Sequence, residues 1–191
     1  MGRRVYLDGY LWYSKGMDNH EFDRRAQVLE WILFDVDGVL TDGTLLYSHE
    51  GETLKTFNVR DGLGFRLAQR AGLKIGLLSG RTSEPLEKRA AELDFDAVML
   101  GSKDKIADLE TFRIHHAVAL DHIAYVGDDL PDIPVLKCVG LSFAPADAAP
   151  EVRAVADVVL GTGGGRGAAR ELIERVLKAR GEWNGLVEQY H

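Results

Sequence analysis

Cysteine is almost absent. Cys138 stands alone in 191 residues, which excludes an intrachain disulfide framework and a multi-cysteine metal site. It sits in an apolar stretch after a predicted helix, where a thiol acts as buried filler. Long apolar runs are missing too. None approaches the roughly 20 residues needed to span a bilayer, and the chain does not open on a basic segment followed by an apolar one. A cytoplasmic location and no membrane partner are therefore expected. Positive charge is in deficit, with 23 Lys and Arg against 30 Asp and Glu and a formal charge of −7. That balance excludes nucleic acid and anionic lipid as general partners, since both demand an excess of cations. A protein so charged that handles phosphate must concentrate its cations locally, so Arg and Lys beside acidic motifs carry the information. The six histidines have none of the spacings of a metal site.

What is present is enough for one sizeable core, with 46% hydrophobic residues in a chain too short for two ordinary domains. From Val28 onward, short runs rich in Val, Ile and Leu alternate with segments of helical period. The runs are Trp31–Phe34, Ile75–Leu78, Ala97–Leu100, Ile123–Val126, Val139–Phe143 and Val158–Leu160. This alternation predicts a doubly wound α/β domain with a parallel sheet. After Ser83-Glu84-Pro85, Leu86, Ala90 and Leu93 mark one helix. Ala169, Leu172, Ile173, Val176 and Leu177 stripe the last, with Gly181 as its stop. The organisation read from this is an arm of unassigned role over 1–27, a domain over 28–181 and a tail over 182–191. A β-hairpin over about 44–57, turning at His49-Glu50-Gly51-Glu52, interrupts the alternation after the first strand. It is placed to act as a small flap over the carboxyl end of the sheet, with no separate cap domain.

Three acidic clusters fall where predicted strands or the hairpin end: Asp35-Val36-Asp37-Gly38, Asp61, and Asp128-Asp129-Leu130-Pro131-Asp132. Clustered carboxylates repel unless a cation sits among them, and an all-oxygen donor set favours a hard ion such as Mg²⁺.

The strings DVDGVLTDG and GDDLPD, with Ser79 ending a strand between them and Lys105 opening the helix before the second, resemble the haloacid dehalogenase superfamily of phosphatases. The resemblance runs from about Val28 to Arg180. It implies that Asp35 attacks phosphorus and that Asp37 is general acid and base. Ser79, Gly80 and Lys105 would bind the phosphoryl group, and Asp35, Asp37 and Asp128 would form the Mg²⁺ site, supported by Asp129 and Asp132. The chemistry is consistent, because a carboxylate can approach a phosphate dianion only where cations cancel the repulsion.

The motif Asn58-Val59-Arg60-Asp61-Gly62, together with Arg66, Ser79-Gly80-Arg81, Arg89 and Gly163-Gly164-Gly165-Arg166-Gly167, is similar to the 3-deoxy-D-manno-octulosonate 8-phosphate phosphatases. Close relatives of that family act on nine-carbon 2-keto sugar acid phosphates. Asn58, Val59, Arg60, Asp61, Gly62, Arg66, Arg81 and Arg89 are accordingly expected to bind substrate. Arginine suits the carboxylate of such a sugar acid because its planar fork binds bidentately. The resemblance also implies a homotetramer, and hydrolysis of the eight-carbon sugar acid phosphate in lipopolysaccharide biosynthesis. The alternatives are a nine-carbon, sialic-acid-type substrate, or a non-catalytic phosphate-binding regulatory subunit, which an altered Asp35 or Asp37 would favour.

Overall fold

The computed structural model describes residues 3–7, 10–14, 17–49 and 51–190. Strands β1 (Arg3–Leu7) and β2 (Tyr10–Ser14) form an antiparallel hairpin and are followed by α1 (Asn19–Gln27) and β3 (Trp31–Phe34). A second hairpin, β4 (Leu46–Ser48) and β5 (Gly51–Leu54), leads into α2 (Val59–Arg70), β6 (Lys74–Leu78), α3 (Glu84–Glu92) and β7 (Ala97–Met99). Then come α4 (Lys105–His115), β8 (Ile123–Val126), α5 (Ile133–Leu136), β9 (Leu141–Ala144), α6 (Pro150–Val155), β10 (Val158–Val159), α7 (Ala168–Ala179) and α8 (Trp183–Glu188). The main sheet has the order β1-β2-β10-β9-β8-β3-β6-β7. Its strands from β10 to β7 are parallel, as the alternating pattern predicts.

Parallel strands bury both faces, and the two-residue period of β3 sorts its side chains accordingly. Ile32 and Phe34 enter one core layer with Leu67 and Ala68 of α2, Leu86 of α3 and the apolar stripe of α7. Trp31 and Leu33 enter the other with Leu109 and Phe112 of α4, Val135 of α5 and Val152 of α6. The helices therefore lie on both sides of the sheet. From β3 the chain first builds outward through β6 and β7, then returns to place β8 on the opposite flank. The loops after β3 and β8 diverge there and open a crevice at the carboxyl end of the sheet.

Some boundaries differ from the sequence reading. Strand β9 starts at Leu141 rather than Val139, because the Gly140 amide donates to the carbonyls of Leu120 (2.8 Å) and Ile123 (3.0 Å). That turn lies so close to Asp121 that a Cβ on Gly140 would stand 2.1 Å from its carbonyl oxygen. The flap hairpin is shorter than expected at both ends, partly because the Asp42 carboxylate takes the Thr44 amide (2.9 Å) out of the ladder. Within the segment read as an arm, β2 pairs antiparallel with β10 and α1 buries Ala26 completely. The Arg180 guanidinium donates to Leu29 O (2.9 Å) and, more distantly, to the Ala26 and Gln27 carbonyls (both 3.5 Å), where α1 ends. In the tail, α8 places Leu186 in the core.

Candidate active site

The end of β3 delivers Asp35 into the crevice, and the end of β8 delivers Asp128 beside it. Among the described residues, Asp35, Asp128 and Asp132 each offer a carboxylate oxygen within 4.8 Å of the others. Lys105, at the start of α4, is buried, with its ammonium 2.9 Å from Asp35 Oδ1 and 2.6 Å from Asp132 Oδ1. Burial lowers the proton affinity of this ammonium, but the charges of Asp35 and Asp132 outweigh it and raise the pKa. Burial and the neighbouring Asp132 push Asp35 up to about 6. Burial and the charge of Asp35 push Asp128 up to about 8. Both shifts run against the doubly ionised pair, so the site calls for positive charge. An all-oxygen set needing positive charge fits Mg²⁺.

Asp132 is saturated by its neighbours. Oδ1 accepts from the Tyr125 hydroxyl (2.5 Å) and from Lys105, and Oδ2 accepts from the backbone amides of Asp128 (3.0 Å) and Asp129 (3.2 Å). It holds the Asp128 loop and Lys105 in place. Asp129 is exposed and caps the turn over Leu130–Asp132, accepting from Leu130 N (2.8 Å). Ser79 is buried at the end of β6, where its amide donates to Met99 O (2.9 Å) and its carbonyl accepts from Ser102 N (3.0 Å).

Asp37 does not turn its carboxylate into the acidic cluster. Oδ1 pairs with Lys55 of the hairpin, and Oδ2 lies 3.5 Å from Arg81 Nε. Glu52 stands between the same two cations, 2.9 Å from Lys55 Nζ and 3.3 Å from Arg81 Nη2. Arg81 Nη2 also donates to the Tyr47 hydroxyl (2.5 Å). Lys55, Glu52, Tyr47 and Tyr125 were all missed in the sequence. Strand periodicity gives no signal for the pair Glu52 and Lys55, because they are three residues apart and Lys55 lies beyond the end of β5.

The residues expected to bind substrate separate into groups. Asn58, Asp61, Gly62 and Arg89 line one small cleft with apolar neighbours that include Leu40, Phe57 and Phe65. Asn58 caps α2, accepting from Arg60 N (2.9 Å), and its amide reaches Gly165 O (3.4 Å). Asp61 is buried, and its Oδ1 accepts from Arg170 N (2.7 Å) in the first turn of α7. This contact makes Asp61 a cap joining two helices. Val59 and Arg60 are exposed, and Arg66 donates to Glu92 O (2.9 Å) on the surface, tying α2 to α3. Arg81 alone joins Asp37. The glycine-rich segment packs on the Asp35 loop of its own chain, with the Gly165 amide donating to Val39 O (2.9 Å). A Cβ on Gly164 would stand 1.9 Å from Gly38 O, so only glycine fits there.

Parallel strands with acids and a lysine at the switch point, and a hairpin where a cap would stand, are the arrangement of haloacid dehalogenase-like hydrolases. The model of that family matches residues 97–172. The 3-deoxy-D-manno-octulosonate 8-phosphate phosphatase KdsC of Haemophilus influenzae is 40% identical over 159 residues, covering 83% of this chain and 88% of that protein. The Escherichia coli K12 protein of the same name is 40% identical over 158 residues, covering 83% and 84%. The Moraxella catarrhalis phosphatase, solved with a magnesium ion, a phosphate ion and a KDO molecule, superposes with a TM-score of 0.87 at 32% identity, covering 90% of this chain and 99% of that one. The chain belongs to the 3-deoxy-D-manno-octulosonate 8-phosphate phosphatase family.

Proposed function

We propose that the protein hydrolyses 3-deoxy-D-manno-octulosonate 8-phosphate to the free sugar acid and phosphate, in the cytoplasm, as a step of lipopolysaccharide biosynthesis. The observation that carries this reading is the buried Asp35, paired at 2.9 Å with Lys105 and set beside Asp128. A bound Mg²⁺, held by Asp35 and Asp128, would cancel the repulsion between carboxylate and phosphate dianion. Asp35 attacks phosphorus, the bond to the sugar oxygen breaks, and Asp37 gives that oxygen its proton. Asp37 then takes a proton from water, which attacks phosphorus and frees the Asp35 carboxylate. Lys105, Ser79 and the Gly80 amide hold the phosphoryl oxygens, and Arg81 takes the sugar carboxylate at the flap. Neither Asp35 nor Asp37 is altered, which leaves a non-catalytic role without support.

A homotetramer belongs to the same reading. The flap exposes Leu45, Leu46, Tyr47 and Leu54, and the start of α2 exposes Val59 (80%), an apolar surface suited to burial against copies of the chain. Light scattering of the purified protein reads its mass directly.

The function is tested by phosphate release from eight-carbon and nine-carbon 2-keto sugar acid phosphates and from hexose phosphates, with Mg²⁺ and with chelator. The expected result is highest kcat/KM on the eight-carbon substrate and no activity in chelator. Preference for the nine-carbon substrate would reassign the sugar, and no release from any of them would overturn the reading.

A further inference from the structure

The flap contributes to a closed circuit of four charges. Asp37 Oδ1 pairs with Lys55, Lys55 Nζ lies 2.9 Å from Glu52 Oε1, Glu52 Oε2 lies 3.3 Å from Arg81 Nη2, and Arg81 Nε lies 3.5 Å from Asp37 Oδ2. Signs alternate around the ring, so each charge faces two of opposite sign. Ser83 Oγ adds a donor to Glu52 (3.4 Å), and Tyr47 takes the remaining reach of Arg81. Three segments meet here: the loop after β3, the hairpin, and the loop after β6.

Lys55 is the unusual member. The hairpin strands around it are exposed or half-exposed, yet the Lys55 side chain is only 1% exposed, whereas that of Arg81 is 39% exposed. Burying an ammonium is costly unless it is paired, and both partners of Lys55 are carboxylates. An accessible arginine can exchange Asp37 or Glu52 for an incoming carboxylate. A buried lysine with two anionic partners cannot do so without opening the flap. The contact between Lys55 and Asp37 is therefore the edge of the ring that persists when a sugar acid engages Arg81.

We propose that Lys55 is a positioning residue for Asp37, holding the carboxyl of the general acid toward the leaving oxygen, so that the flap is part of the proton-transfer apparatus. This rests on the assignment of Asp37 as acid and base above. It predicts a dependence on the leaving group. A sugar alkoxide must receive a proton as its bond to phosphorus breaks, whereas p-nitrophenolate leaves without one. Misplacing the acid should therefore slow the first bond cleavage far more than the second.

The test is single-turnover cleavage with enzyme in excess and Mg²⁺ saturating, following free 3-deoxy-D-manno-octulosonate from its 8-phosphate and p-nitrophenol from its phosphate ester. Lys55→Met is expected to slow sugar release roughly ten- to hundredfold, a part of the roughly hundred- to ten-thousandfold that a positioned general acid contributes, and p-nitrophenol release less than about threefold. Lys55→Arg, which restores a cation to the ring, should recover most of the sugar rate, as a lost packing contact would not. Asp37→Asn is run alongside. If it shows the leaving-group bias and Lys55→Met does not, Lys55 has no positioning role while Asp37 keeps its own. If Asp37→Asn shows no bias either, the assignment of Asp37 falls and this proposal with it. Equal slowing of both substrates by Lys55→Met would also overturn it.

Discussion

The Tyr125 hydroxyl donates to Asp132 Oδ1 across 2.5 Å, beneath the acidic cluster, and shares that oxygen with Lys105. Tyr125 is fully buried, and burial with the Asp132 charge holds its pKa well above the ordinary tyrosine value, so it stays a donor. Without the hydroxyl, Asp132 would draw more strongly on Lys105 and turn its ammonium away from the phosphoryl position. A hydrogen bond to a charged group is worth about 1.5–3 kcal/mol, and part of that would pass to ligand binding. For Tyr125→Phe we expect inorganic phosphate to inhibit roughly three- to tenfold less tightly, with half-saturating Mg²⁺ little changed. Inhibition assays at several Mg²⁺ concentrations separate the two.

Arg81 is the expected anchor for the sugar carboxylate. Arg81→Ala should reduce kcat/KM on the sugar acid phosphate roughly ten- to a hundredfold more than on p-nitrophenyl phosphate, as befits one charge-assisted contact. Equal losses on both substrates would show that Arg81 neither takes the sugar carboxylate nor positions Asp37 for the leaving oxygen.

Asp61 titrates against stability. Its carboxyl is buried, with Oδ2 unpartnered, and burial pushes its pKa up from 3.8 to about 6 in the folded chain. The folded state favours the protonated form, so the contribution is fully present below about pH 4 and is lost as pH rises through 6. A shift of this size corresponds to about 3 kcal/mol at most. Asp61→Asn keeps an acceptor for Arg170 N and removes the charge. Urea unfolding should show the variant gaining on the parent between pH 4 and pH 7, and a constant difference would contradict the assignment.

Gly164→Ala forces a methyl against Gly38 O, 1.9 Å from its ideal position, whereas a Cβ on Gly185 meets nothing within 4 Å. The first substitution should cost about 1–3 kcal/mol and lower kcat by displacing the Asp35 loop. Gly185→Ala, as control, should leave kcat unchanged. Thermal melts and phosphate release check both.

The sequence made Asp35, Ser79, Lys105 and Asp128 legible for a physical reason. Each sits at a strand end or opens a helix, where backbone geometry alone fixes the direction of the side chain. Lys55 and Glu52 lacked such a frame. Charges on a short hairpin ordinarily face solvent, and only the folding of the flap onto the β3 loop turned these two inward. Asp61 has a further role that the motif did not announce, because α7, more than a hundred residues later in the chain, supplies the amide it caps. The strands β1 and β2 were hidden because the edge they join, β10, is only two residues long and lies far along the chain. The glycine-rich segment was legible only as part of a family signature, and the fold shows its close approach to the Asp35 loop of the same chain.

The central claim is the covalent step on Asp35. Its most direct test is rapid acid quenching of the Mg²⁺-loaded protein during turnover of 3-deoxy-D-manno-octulosonate 8-phosphate labelled in phosphorus, followed by peptide mapping. The account predicts an acid-stable, hydroxylamine-labile label on the peptide that carries Asp35, and neither label nor multiple turnover in Asp35→Asn. A label on another residue, or multiple turnover by purified Asp35→Asn, would contradict it.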